Sequence, residues 1–259
     1  MRLSAHCFAV TGLAYTPPWS VNAGFVCGDE STLVVDTGAT ASAAQTIHGY
    51  AVTARPSNRM MAINTEKHFD HLGGNGYFRE RGIDVYGHES AQRSPEEFRA
   101  EIEEFAAQIA SPARRAQGEE AVFYHATELA NPNCPIRGDR VLDLGGCSAK
   151  ILLTPGHTPS NISIYIPEDG VLYCGDCLVG GYLPNLDCGT LPDWQEWLLS
   201  LDRIAKLAPT TVVAGHGPVA TGASVTDMIE QVRRLLQEAI RTGVTPTQPW
   251  SGLQPATGT

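Results

Sequence analysis

Two histidines and two carboxylic acids lie within the six residues from Glu66 to His71. Side chains at alternate positions of an extended segment share one face, so Glu66, His68 and Asp70 are predicted to converge. His71 follows at the turn into a predicted helix, from which its ring can turn toward the same pocket. All four belong to the residue types that bind metal ions in proteins. Their density in one short segment therefore predicts a metal site.

Three further potential ligands lie in distant segments, and each stands beside a glycine. They are His157 in Pro155-Gly156-His157, Asp176 in Cys174-Gly175-Asp176 and His216 in Gly215-His216-Gly217. Glycine allows the backbone to turn sharply and a ligand to approach closely. The segments also lie close to the ends of predicted strands, where layered α/β proteins usually place their chemistry. We therefore expect these side chains to join the first four.

Apolar periodicity predicts β-hairpins and helices in two successive groups. The predicted hairpins cover 21–38, 141–155 and 162–174, the single strands 59–63, 83–86 and 211–214, and the helices 39–54, 72–81, 90–117, 194–207 and 225–241. A chain of 259 residues with 42% hydrophobic residues can bury one large core. We therefore expect a single domain over residues 1–243 and a loosely ordered tail over 244–259, which is rich in Pro, Thr and Gly.

The order of these segments resembles the metallo-β-lactamase superfamily. Its members carry a His-x-His-x-Asp-His motif, followed by a His, a bridging Asp and a final His. The resemblance includes Val35-Asp36-Thr37-Gly38 upstream, and it spans roughly residues 20 to 220. It implies an α/β fold, an αββα four-layer sandwich with the metals in a groove at the edges of the sheets.

The resemblance also implies a ligand set for two divalent metal ions, with zinc expected first. Glu66, His68 and His157 correspond to the first ion, Asp70, His71 and His216 to the second, and Asp176 to the bridge between them. A metal-bridging hydroxide is the implied nucleophile. Asp70 and Asp176 are the implied catalytic carboxylates, with Asp70 steering the proton of the attacking water. Asp36 is expected to support a ligand or to shape the turn after its strand, rather than to bind a metal.

Glu66 departs from the family pattern, which has histidine at this position. One interpretation makes Glu66 a surface residue in a decayed or single-metal site. The other makes it a carboxylate ligand in place of imidazole, and we favour it because the other ligand positions are intact. Carboxylate is the harder ligand, so Mn²⁺ or Fe²⁺ is expected to compete better with Zn²⁺ here.

The motifs favour a hydrolase that opens a small ester, lactone, thioester or cyclic amide. An alternative is a mononuclear non-haem Fe(II) dioxygenase of the same fold, because Glu66, His68 and His157 supply two imidazoles and one carboxylate. A bridging aspartate such as Asp176 resembles the thioesterase and lactonase branches of the family, which disfavours a β-lactamase. Complete ligand sets also disfavour a non-catalytic binding protein.

Substrate specificity is expected in two segments. Tyr182 and Asn185, in the loop 178–190 after Asp176, are candidate donors to a developing oxyanion. A loop that merely caps the groove is an equal alternative. The predicted helical insertion 90–135 is either a lid over the site or a helix packed on the outside of the core.

Charge and composition restrict the partners to a small-molecule substrate. The net charge of −10 and the absence of a Lys/Arg run argue against nucleic acid. No stretch approaches the roughly 18 apolar residues of a membrane span. The N-terminus lacks the features of a secretory signal, and the odd number of cysteines, seven, suits a reducing compartment. We therefore expect a cytoplasmic location, and the oligomeric state is left open.

Overall fold

Two six-stranded sheets form the centre of the computed structural model, which describes residues 1–13, 21–109, 127–181, 184–187 and 189–245. The strands of the first sheet are β1 Cys7–Val10, β2 Ala23–Cys27, β3 Ser31–Val35, β4 Arg59–Ile63, β5 Val85–His88 and β6 Cys134–Ile136, and they lie side by side in that order. β1, β2 and β3 pair antiparallel, whereas β3 to β6 run parallel. The sheet is therefore mixed.

The second sheet has the order β12-β11-β10-β9-β8-β7. Its strands are β7 Arg140–Asp143, β8 Ser148–Leu153, β9 Ile162–Ile166, β10 Val171–Val179, β11 Thr211–His216 and β12 Ala220–Thr221. β10 and β11 run parallel, because the chain between them returns through a helix, and the other neighbours run antiparallel. The helices are α1 Ala41–Ala54, α2 Phe69–Leu72, α3 Asn75–Arg79, α4 Pro95–Ile109, α5 Leu191–Leu207 and α6 Ala223–Thr242.

Strand alternation divides the core into layers. In β10, Val171 and Tyr173 pack between the two sheets, whereas Leu172 and Cys174 pack against α5 and α6. Helices α1 and α3 cover the outer face of the first sheet in the same way. Because these strands are covered on both faces, they read as continuous apolar runs in the sequence. The predicted α/β fold, an αββα sandwich, is confirmed.

The segment after β4 differs from the prediction. Residues 65–68 form bends rather than an extended strand, and α2 begins at Phe69, so Asp70 and His71 lie on a short helix. The helix predicted from residue 72 begins instead at Asn75. At this interruption the chain passes close to the loop after β3, because a Cβ at Gly73 would lie 2.4 Å from the Ala39 carbonyl oxygen.

Helix α4 begins at Pro95, after a short 3₁₀ turn over Glu89–Ala91, and not at residue 90. Phe98 and Ile102 of α4 pack against Phe69 and Leu72 of α2. This contact attaches α4 to the ligand segment. Residues 110–126 of the predicted insertion, and 246–259 of the predicted tail, lie outside the described residues, so the lid stays a prediction.

Strands β1, β6 and β12 were not predicted. They contain four, three and two residues, which is too short for an alternating pattern to be visible.

The cysteines of the described ranges are free thiols. Cys174 and Cys177 are buried within β10. Within the described ranges, the helices are too short or too polar to span a bilayer.

Ile164 tests the core between the sheets. This β9 residue is fully buried and lies opposite Ile151 and Tyr173 on the neighbouring strands. We expect Ile164→Ala to leave a cavity and to lower the free energy of unfolding by about 2–5 kcal/mol, measured by chemical denaturation. Val141→Ala, at a 59% exposed position of the same sheet, should change it by less than about 0.5 kcal/mol. Equal losses in the two variants would contradict the described packing.

Candidate metal centre

The side chains predicted to bind metal meet at one edge of the two sheets. The first sheet contributes the residues that follow β4, and the second contributes the β8–β9 loop, β10 and β11. Their donor atoms form three overlapping groups, each with its members within 4.8 Å of one another: Glu66, His68 and His157; Asp70, His71 and His216; and Glu66, His71 and Asp176. The structure thus brings together all seven residues, although they come from both halves of the chain.

The donors around Asp176 are closely and evenly spaced. His216 Nε2 lies 3.2 Å from Asp70 Oδ2 and 3.4 Å from Asp176 Oδ2. His71 Nε2 lies 3.4 Å from Asp176 Oδ1 and 3.3 Å from Glu66 Oε1. Asp176 therefore contacts two imidazoles of one donor set, His71 through Oδ1 and His216 through Oδ2.

The remaining donors repeat this spacing. His157 Nε2 lies 3.3 Å from His68 Nδ1 and 3.5 Å from Asp176 Oδ2. Two ligands bound tetrahedrally to zinc at 2.0–2.1 Å stand about 3.3–3.4 Å apart. The spacing of the donors thus fits the edges of metal coordination polyhedra.

Glu66 is completely buried, with 0% of its side chain exposed, so it is not a surface residue. Its Oε1 lies 2.8 Å from His68 Nδ1 and also faces His71, so the carboxylate is close to both sets of imidazoles. Its Oε2 makes no hydrogen bond in the described structure, and the same holds for His71 Nε2 and Asp176 Oδ1. Each such buried atom costs about 1–3 kcal/mol when unpaired. Bound cations would satisfy these atoms, so the residues present fit a metal centre.

A β-bulge directs Asp176 into this group. Pairing between β10 and β11 shifts register on both sides of Gly175, whose φ is +51°. A Cβ at Gly175 would lie 2.4 Å from Thr65 Oγ1, so the position needs glycine. A bulge interrupts the alternation of a strand and redirects a side chain. Asp176 therefore lies within β10, and not after it as predicted.

His216 is held at the end of β11 by close backbone packing. A Cβ at Gly215 would lie 1.9 Å from Asp176 Oδ1, and Gly217 has a φ of +85°. The Asn22 side-chain amide donates to the carbonyl oxygens of Ala214, at 2.9 Å, and Gly217, at 2.7 Å. Sequence analysis did not identify Asn22, because this contact joins residues about 190 positions apart.

Asp36 lies behind His71 and contacts the side of its ring that faces away from the other donors. Its Oδ2 accepts hydrogen bonds from His71 Nδ1 at 3.0 Å and from the Thr65 hydroxyl at 2.7 Å, and its Oδ1 accepts from the Thr65 amide. With Nδ1 occupied, His71 turns Nε2 toward the other donors. Thr65 was not predicted, although two polar residues directly after an apolar strand, Asn64 and Thr65, were a usable signal.

Of the two predicted oxyanion donors, Tyr182 lies outside the described residues. Asn185 contacts a predicted ligand, but through its main chain: its carbonyl oxygen accepts from His157 Nδ1 at 3.3 Å. Its side-chain oxygen accepts from the Asp187 amide within the same loop. Asn185 thus orients the His157 ring, and its role toward a substrate stays a prediction.

Mutual attraction fixes the charges of the buried groups. Burial alone would raise the pKa of Asp70, but the charge of His71 and a hydrogen bond with His216 lower it to about 2. Burial alone would lower the pKa of His216, but the charge of Asp176 and hydrogen bonds with Asp176 and Asp70 raise it to about 10. Without metal, Asp70 is therefore ionised and His216 protonated. Burial instead lowers the pKa of His157, which favours its neutral imidazole.

Comparison with known proteins identifies the same family as the sequence motifs do. A family model described as the metallo-β-lactamase superfamily matches residues 16–216. A protein of Bacillus subtilis (strain 168), named a "probable metallo-hydrolase", is 28% identical over 205 residues, which cover 78% of this chain and 87% of the relative. A hydroxyacylglutathione hydrolase of Thermosynechococcus vestitus is 31% identical over 182 residues, 68% of this chain and 56% of the relative. A β-lactamase-like protein 2 homolog of Caenorhabditis elegans is 30% identical over 96 residues, 37% of this chain and 29% of the relative.

The match thus spans less than two thirds of the last two relatives. Solved structures agree over a larger part of this chain. A metallo-β-lactamase family protein from Thermus thermophilus has a TM-score of 0.69 and 24% identity, over 93% of this chain and 82% of the other. A metallo-β-lactamase from Pontibacter korlensis has a TM-score of 0.66 and 19% identity, over 92% and 97%. At these identities the likeness shows a shared fold.

Gly215 tests the close packing around Asp176. We expect Gly215→Ala to push the Asp176 carboxylate away and to lower the affinity for zinc by at least about 10-fold, as loss of ligand orientation commonly does. Zinc binding is measured by competition with a chromogenic chelator. Gly49→Ala is the control, because a Cβ there meets nothing within 4 Å. Unchanged zinc affinity in Gly215→Ala would contradict the described geometry.

The raised pKa of His216 predicts that metal uptake releases protons. With a pKa of about 10, His216 keeps its proton at about pH 8 without metal, and a metal ion must displace it. The apparent zinc affinity should therefore rise as the pH rises through this range. Calorimetric titration in buffers of different ionisation enthalpy counts the protons. Heats that do not depend on the buffer would show that the imidazole is already neutral.

Proposed function

The chain belongs to the metallo-β-lactamase superfamily, and we propose that it is a metal-dependent hydrolase with a centre for two divalent cations. One observation carries the proposal: two donor sets, each with two imidazoles and a carboxylate, meet at Asp176. The proposed ligands of the first ion are Glu66, His68 and His157, and those of the second are Asp70, His71 and His216. Asp176 is proposed to bridge them.

The charge of the ligand set supports a neutral substrate. Two divalent cations bring four positive charges, and the carboxylates of Glu66, Asp70 and Asp176 offset three of them. Histidine at position 66 would leave one more positive charge. A bound hydroxide would cancel the one that remains, so Glu66 weakens the attraction for anionic substrates and the centre suits a neutral one.

Divalent cations at these positions supply Lewis acidity toward a carbonyl oxygen and lower the pKa of a bound water toward neutrality. The chain positions the reacting groups around them. We propose that Asp70, which faces His216 at 3.2 Å, steers the proton of the attacking water toward the leaving group. Asp36 and the carbonyl oxygen of Asn185 hold the rings of His71 and His157 in the orientation that the reaction needs.

We propose a small ester, lactone, thioester or cyclic amide as the substrate. The relative from T. vestitus is named for hydrolysis of hydroxyacylglutathione, which is a thioester. This name supports a thioester for the present chain, and lactones offer a similarly activated carbonyl. The likeness to solved metallo-β-lactamases, at 15–19% identity, concerns the fold alone and does not favour a β-lactam.

Zinc is the proposed metal, and the carboxylate of Glu66 improves the competition of Mn²⁺ or Fe²⁺. One observation favours a second candidate function: Glu66, His68 and His157 form the two-imidazole, one-carboxylate set of mononuclear iron oxygenases. An Fe(II) dioxygenase has no need for a complete second donor set beside it. The second set therefore favours the hydrolase.

The proposal is tested on protein purified without chelators or added metal. We expect about two divalent ions per chain by elemental analysis, and hydrolysis within a panel of lactones and thioesters. Glu66→Ala should retain about one ion and lose more than about 100-fold in kcat/KM, more than the 10–100-fold typical of residues that only support ligands. Glu80→Ala is the matched control, because Glu80 is exposed on the protein surface.

Two results would contradict the proposal. Glu66→Ala with the metal content and activity of the wild type would remove Glu66 from the centre. About one iron per chain, with oxygen consumption and no hydrolysis, would replace the hydrolase with the dioxygenase.

A further inference from the structure

A largely buried ion pair lies beside the ligand segment. Arg93 and Glu101 are joined through Nη1 and Oε2, and their side chains are only 11% and 22% exposed. Arg93 follows the 3₁₀ turn, and Glu101 lies on α4. Exposed ion pairs contribute little to the stability of a fold. A desolvated pair with further hydrogen bonds, in contrast, fixes the geometry of its neighbours.

This pair bonds to both peptide groups that flank His68. Arg93 Nη1 donates to the Lys67 carbonyl oxygen at 3.2 Å. The Phe69 amide donates to Glu101 Oε1 at 3.4 Å. The Lys67 carbonyl and the Phe69 amide belong to the peptide units on either side of His68. The pair therefore holds the backbone of this one candidate ligand at two points.

Arg93 is itself held in place. Its Nη2 donates to the Glu97 carbonyl oxygen at 3.1 Å. Its main-chain amide donates to Asn131 Oδ1, and Asn131 Nδ2 donates back to the Arg93 carbonyl oxygen, both at 2.9 Å. The guanidinium also lies 6.0 Å from the centre of the Phe98 ring. The pair is therefore a fixed support, with few rotamers left to lose.

His68 is the candidate ligand that most needs such a support. Its side chain is 20% exposed, whereas the other six candidate ligands are buried. It is the last residue of the bends over 65–68, and the helix that follows, α2, has only four residues. Small errors in ligand orientation cost metal affinity. A backbone in this setting needs contacts from elsewhere in the fold to keep its geometry.

We infer that Arg93 and Glu101 are positioning residues, which hold the His68 backbone so that its ring completes the first donor set. The segment that contains α4 then controls the affinity for the first metal ion, whether or not it also covers the groove. This inference rests on the proposed metal centre for its consequence, but the hold on the backbone is independent of metal.

Metal titration of Arg93→Met tests the consequence. This variant keeps an unbranched apolar side chain and removes the donors. We expect Co²⁺ titration, followed by visible absorption and chelator competition, to show a 10–100-fold weaker affinity in one binding step. That step should be the one that His68→Ala abolishes, and the step that His216→Ala abolishes should be unchanged. Arg137→Met is the control, because it breaks the exposed Arg137–Glu89 pair in the same region.

Two further variants keep the test interpretable. Arg93→Lys retains the charge but not the planar guanidinium, so its effect on the same Co²⁺ step should be intermediate. This variant replaces Arg93→Met in the test if Arg93→Met does not fold. Glu101→Gln should weaken the same Co²⁺ step. The double variant, Arg93→Met with Glu101→Gln, should lose less binding free energy than the two single variants together, because the residues act as a unit.

Amide hydrogen exchange separates this inference from the proposed function. In metal-free protein, Glu101→Met, which removes the acceptor of the Phe69 amide, should speed exchange of that amide relative to the wild type, even if the chain binds no metal at all. A wild type that binds no divalent ion would overturn the proposed centre, while faster exchange would still support the hold on the backbone. Unchanged exchange, or a lower thermal stability with both Co²⁺ steps as in the wild type, would overturn the inference.

Discussion

Buried negative charge at the edge of the two sheets sets the requirements for the rest of the fold. Glu66, Asp70, Asp176 and Asp36 lie within one small region and are nearly inaccessible to water. Such a group is unstable unless cations or protonated imidazoles lie among its oxygens. His71 and His216 provide that charge through protons, and divalent cations would provide it more strongly. Repulsion between the buried carboxylates destabilises the region when no cation is bound. The same repulsion favours the binding of cations.

Inter-sheet packing determines the spacing of the donors. The first sheet supplies four candidate ligands on the segment after β4, and the second supplies three from separate loops and strands. No donor set is complete within one sheet, so the apolar core between the sheets holds the two halves of the centre in register. Local contacts then determine the exact positions of single ligands. They are the bulge at Gly175, the close approach at Gly215 and the Arg93–Glu101 pair.

The sequence was informative where chemistry is local and uninformative where it depends on distant contacts. Polar ligands beside glycines stand out among apolar strands, so the seven candidate ligands and the αββα fold were predictable. The four-residue helix α2 was not, because it is too short for an apolar period to be visible, and its end packs against the distant loop after β3. The direction of the Asp176 side chain depends on a β-bulge. Asn22 and Arg93 contact residues that are distant from them in sequence. Such contacts leave no periodicity in a single chain.

Anomalous X-ray diffraction from crystals of the protein as purified, at the absorption edges of zinc, manganese and iron, tests the central claim most directly. Two peaks are expected, about 3.5–4 Å apart as in other two-metal sites. One should contact Glu66, His68 and His157, the other Asp70, His71 and His216, and both should contact Asp176. A single peak, or an ion that Glu66 does not contact, would contradict the two-metal account.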